Sequence, residues 1–244
     1  MLSNNPLRLR QFFATVSVPC PYLPMRMEQK LVIELRAANV SDLHTELSRA
    51  GFRRSHHLAY RPACRGCNAC VPVRIDTRAF TSTRSLKRTW RNFQHLHASF
   101  HRPAADAEHF ALFSRYVRTR HGDSEMAMME ESDFTGMLHD SPVDTMVLSL
   151  RDDDGKLVAA CLCDRLNDGI SAVYSYFDTD VKGSLGSHII MRLVQAMGAV
   201  SKPYVYLGYW IDGSATMAYK SRFPGVEGLV DGHWSPLKKP AKTD

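Results

Sequence analysis

Apolar and polar positions change period along this chain, and the changes mark its elements. Leu31 to Arg36 alternates with the two-residue period of a strand, and Ser41 opens a helix that closes at Gly51, with Leu43, Leu47 and Ala50 on one face. Val71 to Ile75 reads as a second strand, and Ser85 to His97 as a helix. His101-Arg102-Pro103 breaks the rhythm and divides the chain into units 1–102 and 103–244. An amphipathic helix then spans Asp106 to Arg120 and carries Phe110, Phe113, Tyr116 and Val117.

The second unit has a clearer order. Thr145 to Arg151, a turn at Asp152-Asp153-Asp154-Gly155, and Leu157 to Arg165 predict a hairpin, to which Ile170 to Phe177 adds a strand. Gly183 to Gly186 leads into an apolar helix from Ser187 to Ala199, Tyr204 to Ile211 returns as a strand, and a short helix spans Ser214 to Arg222. A meander followed by a crossover helix predicts an α+β fold in which two consecutive parallel strands splay around a loop.

Composition narrows the class. With 244 residues, 44% hydrophobic and 23% charged, the chain can bury one large core or two modest ones. Six cysteines are too sparse for a small secreted disulfide scaffold, the N-terminus lacks an apolar signal segment, and no run is long enough to span a membrane. A reducing cytoplasm is the expected compartment. The net charge of +6 admits a nucleic-acid partner, and its distribution is more telling. Residues 49–92 hold eleven Lys or Arg and a single acid, Asp76; Arg84, Lys87, Arg88 and Arg91 recur at helical spacing, so one helix face is cationic. Arg53, Arg54, Lys87, Arg88 and Arg91 are the candidate phosphate contacts.

Within that basic stretch lie Cys64, Cys67 and Cys70, which Cys20, set between two prolines, joins as a fourth thiol. Two-residue spacings with Gly66 between let successive sulfurs face one centre: zinc, an Fe–S cluster, or a reactive redox group whose pKa values the arginines would lower. Cys161 and Cys163 share a strand face and read as small core residues.

Six segments in one order carry a family likeness: Cys20-Pro21-Tyr22-Leu23-Pro24, Gly51-Phe52-Arg53-Arg54-Ser55, Tyr60-Arg61-Pro62 with the cysteines, Tyr174-Ser175-Tyr176-Phe177-Asp178, Ser184-Leu185-Gly186, and Tyr206-Leu207-Gly208-Tyr209-Trp210-Ile211. From about Leu7 to about Trp234 the chain resembles the aminoacyl-tRNA–protein transferases, most closely the bacterial aspartate/glutamate leucyltransferases, relatives of the arginyltransferases. The resemblance implies a GNAT-like acyltransferase fold with an N-terminal Cys-containing α+β domain. It implies transfer of leucine from Leu-tRNA to proteins with N-terminal Asp or Glu, in the N-degron (N-end rule) pathway. An arginyl-tRNA donor, a GNAT-type CoA-dependent N-acetyltransferase, and a zinc-dependent nucleic-acid-binding module are the alternatives.

Such chemistry starts from an activated ester, so alignment dominates, no cofactor is required for the transfer, and only modest base assistance is needed. Backbone N–H groups of the two splayed strands would stabilise the oxyanion. Alternation puts Tyr174, Tyr176 and Asp178 on one strand face; Asp178 with Tyr176 is the first candidate proton carrier and Asp212 its rival. Ser184, Leu185 and Gly186 at a helix N-terminus, with Tyr174 and Tyr209, form the expected donor site. Lys220, Arg222 and Arg61 are candidates for the acceptor's carboxylate.

Overall fold

The computed structural model describes residues 10–122, 124–214 and 216–237, so Leu7 to Leu9 of the family likeness lie outside the described residues. The chain begins with short strands β1 (Phe13–Ala14), β2 (Val18–Pro19) and β3 (Met27–Glu28), followed by β4 (Lys30–Glu34), α1 (Val40–Arg49), β5 (Arg53–Ser55) and β6 (Leu58–Pro62). β1, β4, β6 and β5 form an antiparallel sheet. Its apolar face closes on α1 through Ile33, Leu35, Leu43, Leu47 and Ala59, as the alternation of β4 and the helical spacing of α1 require.

The rest of the chain builds one mixed sheet of eight strands. β7 (Val71–Asp76), α2 (Arg84–Phe93), β8 (His97–His101), α3 (Ala107–Arg120), α4 (Glu131–His139), β9 (Thr145–Arg151), β10 (Leu157–Leu166), β11 (Gly169–Phe177), α5 (Leu185–Ala199), β12 (Tyr204–Trp210), β13 (Val226–Val230) and β14 (His233–Pro236) follow in order. The strand order is β14-β13-β7-β12-β11-β10-β9-β8. The predicted meander is β9 to β11, and β11–α5–β12 is the predicted crossover to a parallel neighbour. β7 and β8, both from before residue 103, complete this sheet.

Each face of the sheet has its own core. α5 and α2 cover one, with Leu148, Cys161, Ile170, Leu185, Ile189 and Leu193 among the buried residues. α3 and α4 cover the other through Phe113, Phe134, Leu138, Val147, Leu162 and Tyr176. The helix expected to reach His97 stops at Phe93, because His97–His101 extends to pair with β9. The short helix expected from Ser214 is reduced to a 3₁₀ turn over Ala218–Arg222.

Candidate active site at the splayed strands

The parallel pair β11 and β12 holds together only at its beginning. Gly169 to Ser171 face Tyr204 to Tyr206, and beyond them the strands separate. Gly169 permits the close start: a Cβ there would stand 1.9 Å from the Tyr204 carbonyl oxygen. At the open end, β12 shifts register against β7 between Tyr206 and Gly208, and Gly208 adopts a φ of 76°.

Arg53, delivered by β5, occupies the gap. Its guanidinium donates to the carbonyls of Ala172 (3.1 Å) and Val173 (2.6 Å) on β11 and of Leu207 (3.2 Å) on β12. A Cβ at Gly208 would lie 1.4 Å from Arg53 Nη1, so the glycine and the arginine belong together. Lys220 reaches the same place from the 3₁₀ turn and donates to the Tyr209 carbonyl at 2.6 Å. Only 8% of Lys220 is exposed, and burial, with Arg53 as a second cause, pushes its pKa down to about 7. Neither Arg53 nor Lys220 has a carboxylate at ion-pair distance among the described residues. The gap between the strands is thus lined by backbone carbonyls and filled by two basic side chains.

α5 follows β11 and begins against its last residue, Phe177. Ser184 occupies the N-cap position but bonds Ser187 Oγ at 2.8 Å and caps no backbone N–H, which leaves the first-turn amides of Leu185, Gly186 and Ser187 without a side-chain partner. Leu185 itself is a core residue. Gly186 lies against the Phe177 ring.

The predicted proton carriers lie elsewhere. Tyr174, Tyr176 and Asp178 do share a face of β11, and that face is turned to α3 and α4. Tyr176 is fully buried, its hydroxyl 2.7 Å from His109 Nδ1 and its ring against Phe113 and Phe134. The Asp178 carboxylate is engaged by Arg115 (3.0 Å), Lys156 (3.6 Å) and the Asp180 N–H (3.1 Å), the geometry of a locked turn. Asp212 is exposed in the turn after β12. Tyr174 packs on Phe113 with its hydroxyl unpartnered, and burial raises its pKa. The Tyr209 hydroxyl faces away, 2.9 Å from the Gly51 carbonyl oxygen and 3.1 Å from that of Tyr60.

The basic candidates also separate. Arg54 is buried and grips Asp164 through Nε (2.7 Å) and Nη2 (2.9 Å), so as placed it presents nothing to a phosphate. Arg61 donates to the Ala50 carbonyl at 3.1 Å and stands over Phe52, outside the cleft. Arg222 is exposed, and Lys87, Arg88 and Arg91 are exposed along α2.

The four thiols of Cys20, Cys64, Cys67 and Cys70 are free and half-buried, with Cys64 Sγ accepting the Gln29 N–H at 3.4 Å. They lie near enough to act on one another. Burial first, then the Cys64, Cys20 and Cys67 thiols, raise the Cys70 pKa to about 11, opposite to the lowering expected from neighbouring arginines. Among the described residues no group of three or more His, Cys, Asp or Glu stands where it could hold a metal ion.

The fold is thus a mixed sheet, covered by helices on both faces, in which a parallel pair splays around a carbonyl-lined gap. The family model of the arginine-tRNA-protein transferase N terminus matches residues 18–88, and that of the C terminus matches residues 108–230. The aspartate/glutamate leucyltransferase of Paramagnetospirillum magneticum is 48% identical over 224 residues, 91% of this chain and 92% of that protein. That of Granulibacter bethesdensis is 49% identical over 240 residues, 97% and 90% of the two chains. Among solved structures, L-PGS from Bacillus licheniformis superposes with a TM-score of 0.46 at 13% identity, covering 60% of this chain and 48% of that one. The chain belongs to the aspartate/glutamate leucyltransferase family.

Proposed function

We infer that this chain transfers leucine from Leu-tRNA to the α-amine of proteins whose N-terminal residue is Asp or Glu, creating a destabilising N-terminus for the N-degron pathway. Its relatives' names supply the reaction class, and one observation carries the reading of the site: the splay holds Arg53 and Lys220 and, among the described residues, no carboxylate partner for either. An acidic acceptor side chain supplies the missing charge. The same absence of acid suits an apolar leucyl group and disfavours an arginyl donor.

The N–H groups of Arg53 that β11 and β12 leave unused bind the acceptor's carboxylate. An acceptor α-ammonium, with an ordinary pKa of about 7.7–8.0, must lose a proton before it attacks. Lys220 has the matched affinity to take it, in preference to Asp178, whose carboxylate is occupied. Lys220 passes this first proton to solvent; the amine nitrogen then bonds to the leucyl carbonyl carbon and gives its second proton to Lys220, the bond to the ribose oxygen breaks, and that oxygen leaves with the proton Lys220 now holds. The free amides at the start of α5 face the donor's terminal phosphate. No step needs a cofactor; zinc or an Fe–S cluster at the cysteines would require the thiols to draw together and shed their protons. Charged tRNA confines the reaction to the cytoplasm, and among the described residues no helix is long and apolar enough to cross a membrane.

The test is a transfer assay with radiolabelled Leu-tRNA or Arg-tRNA and peptides beginning with Asp, Glu or Ala. Label on the Asp and Glu peptides from Leu-tRNA alone is the expected result. Equal labelling of the Ala peptide would remove the acceptor role of the cationic cleft.

A further inference from the structure

On the covered face of the large sheet, α2 and α5 leave between them a groove of about 610 Å³ that no part of the transfer reaction uses. Its floor and walls include Phe80, Trp90 and Met191, with Lys87 and Arg91 on one rim and Gln195 on the other. Trp90 is held in place from behind: the Arg192 guanidinium stands 4.4 Å from its ring, and His188 lies 5.2 Å away between centroids. Arg192 is in turn fixed by the Leu96 carbonyl at 2.9 Å. Lys87 and Arg91 are one helical turn apart on a helix that contains no acid, and neither has a carboxylate partner among the described residues.

We propose that this groove binds an unpaired nucleotide of the donor tRNA, its base against Phe80 and Trp90, its phosphates on Lys87 and Arg91. The inference rests on the tRNA-donor reading above. Three features choose this occupant. The rims are cationic where an apolar protein segment would want none. The floor is aromatic, and a base stacks on an aromatic ring whatever its sequence. The groove also lies in the right place. Phe93 of α2 packs on Gly183, immediately before α5, and Met191 is seven positions beyond Ser184, about 10 Å along the helix axis. A short single-stranded 3′ tail can therefore run from the groove to the cleft, while the duplex stem meets Arg84 and Arg88 further along α2.

The test compares uncharged tRNA with the same tRNA trimmed of its unpaired 3′ nucleotides, by fluorescence titration across a salt series. Gln195→Trp fills the groove from an exposed helix position, and Lys87→Ala/Arg91→Ala removes the rim charges. Gln195→Trp should weaken intact tRNA roughly tenfold, leave trimmed tRNA unchanged, and raise KM for Leu-tRNA with kcat kept. The double variant should lower the logarithmic salt slope by about two. A Gln195→Trp protein that keeps the full preference for intact tRNA and an unchanged KM would overturn the proposal. If the wild type prefers intact tRNA in this Gln195-dependent way yet transfers no leucine, the groove stands and the donor chemistry falls.

Discussion

At the scale of single residues, Lys220 separates this site from the one the sequence suggests. Its ammonium is buried against a carbonyl and beside a second cation, so the folded chain binds its proton less tightly than the unfolded chain does. For a base whose pKa falls on folding, the unfolded state holds more protons between the folded value near 7 and the ordinary value near 10.5, and stability therefore rises with pH across that window. Wild type should gain up to about 1.4 kcal/mol per pH unit from this group between pH 7 and 9, and Lys220→Met should lose that slope. The same variant should lose the acidic limb of the kcat/KM profile near pH 7 and fall at least roughly a hundredfold in kcat, as a lost proton carrier does. An unchanged profile in Lys220→Met would return the proton to another group. Asp178→Asn, by contrast, should cost about 1 kcal/mol in urea unfolding, because Arg115 and Lys156 are largely exposed partners, and leave kcat within about threefold. The sequence placed Tyr174, Tyr176 and Asp178 on one face, which is correct, but alternation does not say whether that face is cleft or core. The same period would have divided Arg53 from Arg54: as strand neighbours they point to opposite sides, one into the splay and the other into Asp164. Counting them together as basic residues hid the distinction.

At the scale of elements, the splayed pair is where sequence signal was strongest. β11, α5 and β12 were legible because long apolar runs are bounded by Gly183 and by a helix of clear period. The glycine inside the aromatic strand, Leu207-Gly208-Tyr209, was an unused signal of the opening, since an interior strand glycine accompanies a bulge or a close approach. Here it does both. Gly208→Ala would place a methyl group on Arg53 at a φ of 76°, and it should abolish most transfer to acidic peptides while costing about 1–3 kcal/mol of stability. Retained selectivity for Asp over Ala peptides in this variant would show that Arg53 does not read the acceptor. Other elements were illegible for physical reasons. β8 has four of its five residues exposed and is stabilised only by pairing with β9, so no apolar period betrays it. α4 has just Phe134 and Leu138 buried, too few to set a helical stripe.

At the scale of the molecule, the first hundred residues do more than bear cysteines. They deliver Arg53 to the gap between β11 and β12, lend β7 to the large sheet, and meet it again through Arg49–Asp168 at 2.7 Å and the buried Arg54–Asp164 pair. Thr145 Oγ1 also donates to Asp164 at 2.7 Å, so the carboxylate is well satisfied. A buried pair of this kind is weak in net stability but costly to break on one side, because the remaining charge is stranded without solvent. Arg54→Met should therefore destabilise the whole chain by about 3–5 kcal/mol, and Arg54→Met with Asp164→Leu should recover much of it. If the pair fixes how β5 presents Arg53, the double variant will fold yet transfer leucine with a raised KM for the acidic acceptor and an unchanged KM for Leu-tRNA. That split is the informative outcome, since lost folding would lower both together. A double variant with both constants at wild-type values would mean that backbone pairing alone positions Arg53, and that the ion pair serves only the join between β5 and the large sheet.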